Sequence, residues 1–222
     1  PVLTRDAVVV AIIQSGPSYL VALDQETGKE LWKADRQLNV NEESNQAYTT
    51  PAIAEVNGKQ VLLTVGADHL TAHDDSGNLL FKIGGFNPKN DRYFRTIASP
   101  AATDEIVVCP HSRGGAVTAV SLAPDLRAEQ RVLWTRTDVG SDVPTPVIAN
   151  DKVYLLQDKG QIACLDIKTG ETLSELALPK SRHAYSSSPV LANGMLYCVR
   201  EDATTFVVDT RDGLKLVSEN PL

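Results

Sequence analysis

Residues 20–32 read LVALDQETGKELW: an apolar run closed by Asp24, then Thr27-Gly28, then Trp32. The pattern returns along the chain. LTAHDDSGNLLF runs from Leu70 to Phe81, IACLDIKTGETLS from Ile162 to Ser174, and FVVDTRDGLKLV from Phe206 to Val217. A degenerate copy, GAVTAVSLAPDLRAEQRVLW, lies between Gly115 and Trp134. Self-similarity at a period of about 45 residues marks a propeller or a solenoid. A feature that recurs once per repeat therefore reads as architecture, and one that occurs once is the better candidate for function.

A second marker sets the period. A small or hydroxyl residue and a proline precede a short apolar strand at Thr50-Pro51, Ser99-Pro100, Thr145-Pro146 and Ser188-Pro189, and Pro1-Val2-Leu3 resembles the same marker without its first residue. Five repeats result, with boundaries near 1–49, 50–98, 99–144, 145–187 and 188–222. Each holds four runs of four to seven residues rich in Val, Ile, Leu and Tyr, divided by Gly, Asn and Asp turns, which is the hairpin pattern. The segments AVVVAII (7–13), VLLTV (61–65) and EIVVC (105–109) are continuously apolar, so both faces are expected to be covered. The expected fold is all-β: a β-propeller of four-stranded antiparallel blades, each sandwiched between its neighbours. Residues 125–131 replace a hairpin turn and read as a loop.

The motif has a local physical logic. A strand-ending Asp (Asp24, Asp166, Asp209) accepts backbone N–H groups just beyond it, and Gly28, Gly77, Gly170 and Gly213 supply positive φ. The residue four past the glycine is Trp32 or Phe81, with Trp134 in the degenerate copy; an aromatic here wedges against the neighbouring blade. Ser174 and Val217 occupy the position in the last two repeats.

Composition narrows the function. The net charge of −7 lacks the basic stripe of a nucleic-acid binder, and there is no apolar run of 18 residues to span a membrane. Cys109, Cys164 and Cys198 form no C-x-x-C; the last two read as buried, and Cys109 as the more accessible. His69 and His73 would share a strand face but stand about 13 Å apart along the chain, too far for a zinc pair, and His73 falls where a turn residue is expected. Ser112-Arg113-Gly114-Gly115 reads as a hairpin loop rather than a phosphate cradle, because no strand-to-helix context follows.

The segment Ala22–Trp32 resembles the tryptophan-docking repeat of the PQQ-like β-propellers, and the resemblance extends through all five repeats. The finer texture of 48–74 and 84–101 is most similar to the secreted bacterial assembly-factor-like and PQQ-binding-like members. The resemblance implies a periplasmic or extracellular bacterial protein and a ring of seven or eight blades, with further blades of the same chain or self-association completing the arc. It spans two activities. Quinoprotein dehydrogenases bind PQQ with calcium through Glu, Asn and Asp, with a catalytic Asp and often a Cys-Cys pair; this chain has no Cys-Cys and no haem-type C-x-x-C-H. Assembly-factor-like members bind proteins. The expected function is a non-catalytic binding or scaffold module with a protein, peptide or polar-ligand partner, no catalytic residue, no metal site and no cofactor. Alternatives are a PQQ- and calcium-dependent oxidoreductase domain and a sensor or receptor ectodomain.

Non-repeating loops that lead into each inner strand converge on one rim: 36–49, 84–96, 138–143 and 180–187. With the hairpin at 111–113 they carry Tyr48, Asn90, Arg92, Arg95, His111, Arg113, Asp142, Arg182, His183 and Tyr185. Aromatic and arginine side chains on loops above a rigid scaffold are typical recognition groups.

Overall fold

A computed structural model describes all residues, Pro1–Leu222. Twenty strands form five antiparallel four-stranded sheets, each a simple meander. The first blade comprises β1 (Val2–Leu3), β2 (Ala7–Ile12), β3 (Tyr19–Asp24) and β4 (Glu30–Asp35). The second comprises β5 (Ala52–Val56), β6 (Lys59–Gly66), β7 (His69–Asp74) and β8 (Leu79–Ile83). β9 (Ala101–Ala102), β10 (Ile106–His111), β11 (Ala116–Ser121) and β12 (Val132–Arg136) make the third. β13 (Val147–Ala149), β14 (Lys152–Leu156), β15 (Gln161–Asp166) and β16 (Thr172–Ala177) make the fourth. The fifth holds β17 (Val190–Ala192), β18 (Met195–Val199), β19 (Thr205–Asp209) and β20 (Lys215–Asn220). The inner strands β5, β9 and β13 lie side by side, which stacks the sheets face to face as propeller blades.

The motif folds as its residues dictate. Asp24 Oδ1 accepts the backbone N–H of Glu26 (3.2 Å) and Thr27 (2.7 Å) and the Thr27 hydroxyl (2.6 Å). Asp166 accepts Lys168 N (2.9 Å) and Thr169 N (2.8 Å), and Asp209 accepts Arg211 N (3.0 Å). Gly77 and Gly170 adopt φ of 82° and 73°, and a side chain there would also collide with an indole. A Cβ at Gly77 would lie 2.6 Å from Trp32, and one at Gly170 2.6 Å from Trp134. Each tryptophan thus lies on the motif glycine of the next blade. Its Nε1 donates to a carbonyl there, Asp75 O or Ile167 O, at 2.8 Å. Phe81 has no glycine to meet, because the third repeat lacks that turn. The Arg131 guanidinium covers its ring at 4.1 Å, donating to Ser121 O and Ala123 O. The segment expected as a loop contains one 3₁₀ turn, Ala128–Gln130, which carries Arg131 into place.

Apolar clusters fill the seams between blades. Twelve buried residues join the second and third blades, ten the third and fourth, and ten the fourth and fifth, but only four the first and second. No cluster joins the first to the fifth.

Three expectations are corrected. β2 was expected to be covered on both faces; Val8, Val10 and Ile12 are only half-buried, because no sheet packs against the outer face of the first blade. Cys109 is fully buried in β10, where burial pushes its thiol pKa well up. The strand runs on past it to His111, and Pro110 is tolerated because β9 pairs only with Val107 and Val108. His73 is a buried strand residue opposite Leu79, and Asp74 takes the turn-capping role, accepting Ser76 N at 3.0 Å and Asn78 N at 2.8 Å.

Candidate functional site: the loop rim

In a four-stranded meander the hairpin between the second and third strands and the chain leaving the fourth strand emerge at the same end. The 36–49, 84–96, 138–143 and 180–187 connections therefore share a rim with the hairpins 112–115 and 158–160.

The first two connections are built as one unit. Glu43 N donates to Arg92 O (2.9 Å) and Ser44 Oγ to Asp91 O (2.8 Å), while Tyr48 N donates to Thr96 O (2.9 Å). Buried Asn87 links them: its Nδ2 donates to Asp91 O (2.7 Å), Asp68 Oδ2 (3.1 Å) and Ser44 Oγ (3.2 Å). Burial pushes the Asp68 carboxyl up to about 6, against the pull of the Asn87 hydrogen bond. At the surface Asn41 donates to Asn90 Oδ1 (2.8 Å), Arg92 pairs with Glu42 (3.4 Å), and Arg95 with Glu43 (2.8 Å).

Next along the rim, Arg113 stands 3.8 Å from Asp142. Burial raises the Asp142 pKa, as does the charge of Asp158, while Arg113 and Arg95 hold it down. The hairpin and the 138–143 connection touch backbone to backbone: a Cβ on Gly114 would lie 2.7 Å from Asp142 N, and one on Gly140 2.7 Å from Gly114 O. Asn90, Arg92, Arg95, Arg113 and Asp142 thus belong to one continuous charged stretch over the second and third blades.

The remaining expected residues are placed differently. Tyr48 is tied into the loop pair through its backbone, and the residue is 64 % exposed. Arg182 donates to His183 Nε2 at 3.3 Å, and no hydrogen bond or ion pair ties either to the other rim residues. Tyr185 was expected on the accessible rim but is 2 % exposed, with its ring 5.9 Å from that of Phe206 in the seam between the fourth and fifth blades. Its backbone N–H donates to Asp158 O at 2.9 Å, which draws the residue inward. His111 is also buried, stacked on Phe86 at 4.6 Å, and its side chain cannot meet a macromolecular partner. Asn41, Glu42, Glu43 and Ser44, the framework of the loop pair, were not singled out from the sequence. The one available signal was an acidic pair in one long connection and a basic pair in the next.

The family model described as outer membrane protein assembly factor BamB matches residues 1–216. The chain belongs to the BamB family. Among solved structures, BamB from Moraxella catarrhalis superposes with a TM-score of 0.70 at 16 % identity, covering 99 % of this chain and 62 % of that one. The quinohemoprotein alcohol dehydrogenase ADHIIG from Pseudomonas putida HK5 gives 0.69 at 17 % identity, covering 100 % of this chain and 41 % of that one. A europium-containing methanol dehydrogenase gives 0.67 at 14 %, covering 100 % and 50 %. At these identities the likeness shows the β-propeller fold alone, and the BamB-family chain spans less than two thirds of each of these proteins. No curated protein matches it.

The dehydrogenase likeness raises PQQ and calcium. Nowhere in this BamB-family chain do three or more His, Cys, Asp or Glu side chains converge as they would around an ion. Of its rim carboxylates, Glu42, Glu43 and Asp142 are paired with arginines, and Asp68 accepts from Asn87. The donors present do not match the calcium-and-quinone set.

Proposed function

We propose that this BamB-family chain is a non-catalytic binding and scaffold module of an exported bacterial propeller, acting in the periplasm and engaging a protein partner through the loop rim. The ring it belongs to has seven or eight blades, and the uncovered faces of the first and fifth blades receive the others. The observation that carries the reading is the hydrogen-bonded loop pair 36–49 and 84–96. Long loops usually gain mobility with length, and ordering them on binding costs affinity. Here the backbone is already tied across the pair, while Tyr48, Arg92 and Tyr93 remain exposed. The Arg92 guanidinium lies over the Tyr93 ring at 4.8 Å, which holds a flexible cation in one direction. Preorganised aromatic and arginine side chains are what interface anchors require.

The test is the double substitution Arg92→Ala/Arg95→Ala. A chemical cross-linking comparison in the bacterial envelope, read by mass spectrometry at residues 42–48 and 90–95, should lose its wild-type partner peptides while the circular dichroism spectrum is retained. Unchanged cross-links from a folded double variant would defeat the proposal. Quinone absorbance on adding PQQ and calcium would favour the oxidoreductase alternative instead.

A further inference from the structure

A cleft of about 530 Å³ opens between the 84–96 loop and the sheet of the third blade. It lies beside the charged stretch but differs from it in chemistry. Phe86, Pro88, Phe94 and Val132 supply apolar surface, and Thr118, Thr135 and Thr137 supply hydroxyls. Lys89 is the only ionised side chain in the lining, and no carboxylate faces it. The volume falls in the range of small-molecule sites, about 300–1,000 Å³.

The wall has a built polar relay. His111 Nδ1 lies 2.9 Å from Phe86 O, an atom that can only accept, so Nδ1 carries the proton. Burial depresses the imidazole pKa to about 4, so the ring is neutral at physiological pH and Nε2 is an acceptor. Thr118 Oγ1, at 3.0 Å, therefore donates to Nε2. Thr118 Oγ1 in turn accepts from Thr135 Oγ1 at 2.9 Å. With its proton committed, Thr135 offers the cleft only lone pairs. Phe86 fixes this polarity twice, through its carbonyl and through its ring, which stacks on the imidazole with planes 10° apart.

We propose that this cleft binds a small aromatic monocarboxylate bearing one N–H or O–H donor: the ring against the apolar surface of Pro88, Phe94 and Val132, the carboxylate at Lys89, and the donor at Thr135. A single cation suits one negative charge, and the absence of any acid in the lining disfavours an amine. The site shares the 84–96 loop with the partner-binding rim but uses neither Arg92 nor Arg95, so the two readings are tested by different variants.

The test is a ¹H–¹⁵N NMR titration of the intact chain with three probes: N-acetylphenylalanine, its C-terminal amide, and 3-phenylpropionate, which lacks the donor. N-acetylphenylalanine should give saturable shifts at the amides of Gly84, Gly85, Gly115 and Thr118, and should bind most tightly of the three. Lys89→Gln should weaken both acids by about threefold, the scale of an exposed ion pair, and leave the amide unchanged. Thr135→Val should weaken N-acetylphenylalanine by about fivefold, the scale of one hydrogen bond, and leave 3-phenylpropionate unchanged. Thr135→Ser, which keeps the hydroxyl, should restore binding and serves if the valine variant misfolds. The proposal is overturned if no probe gives saturable shifts at these amides, if the amide binds as tightly as the acid, or if Lys89→Gln changes nothing.

Discussion

Between the first and second blades four buried apolar side chains meet; between the fourth and fifth, ten meet. The thin seam has Trp32 lying on Gly77 and a buried arginine. Arg36, 2 % exposed, donates through Nη2 to Thr64 O, Gly66 O and His69 O at 3.0–3.2 Å and through Nε to Thr71 Oγ1 at 2.9 Å. It has no carboxylate partner, and burial lowers its pKa to about 10. The thick seam has no docked tryptophan: Ser174 stands at the motif position, nothing lies within 4 Å of a Cβ built on Gly213, and Tyr185 and Phe206 fill the interior instead. The same repeat thus holds its neighbours with an aromatic lock and polar bonds, with a deep apolar core, or, between the third and fourth blades where Trp134 lies on Gly170 beside ten buried apolar residues, with both. Degeneracy of the motif is tolerated where the core is large.

The largest expected effect tests the thick seam. Phe206 is fully buried, and Phe206→Ala should cost about 3–5 kcal/mol in urea unfolding, the range for a large buried aromatic. A loss below about 1 kcal/mol, the scale of an ordinary surface change, would show that the seam does not rest on this cluster.

Trp32→Ala tests the thin seam. The indole is only half-buried, so a loss of about 2–3 kcal/mol is expected, at or below the low end for aromatic truncation. Because few apolar contacts remain there, the damage should be local. Hydrogen exchange should accelerate in β2 and β3 while β14 and β15 keep their protection. Uniform acceleration across all blades would contradict the view that seams are separable.

Acid should strike the thin seam too. Burial depresses the pKa of His73 to about 4, with Arg36 adding repulsion. Its folded value lies below the unfolded one of about 6.5, so its contribution is intact above that pH and is lost as pH falls toward 4. The expected loss is on the order of 2 kcal/mol. His111 behaves in the same sense, and Asp68, raised to about 6, in the opposite one. His73→Leu should therefore flatten the decline of Tm between pH 6.5 and 4; an unchanged slope would place the acid sensitivity elsewhere.

The smallest effect is a gain. Ser174→Trp would set an indole toward the open space at Gly213 and should stabilise by about 1 kcal/mol or less, after the cost of ordering a large side chain. A loss instead would show that the motif position in the fourth blade no longer faces that glycine.

The repeats were legible because their signals are local. Asp24, Gly28 and the alternation around them act within one hairpin, and the hairpin needs no distant partner to be recognised. The rim loops were legible as non-repeating segments, and Arg92 and Arg95 as polar groups upon them. Tyr185 and His111 misled because loop and hairpin residues read as exposed, whereas Asp158 O and Phe86 O draw them into seams. The cleft was invisible: Thr118 and Thr135 are unremarkable strand residues until the register of β11 with β12 sets them opposite each other.

The sequence by itself determined the four-stranded unit, its turns and the position of its docking aromatic, since hydrogen bonds within a blade link residues close in the chain. Tertiary structure alone decided which loop carboxylates meet which arginines, which seams are polar or apolar, and which face the Thr135 hydroxyl presents. Those outcomes depend on side chains tens of residues apart meeting across a seam, and a local pattern carries no record of that meeting.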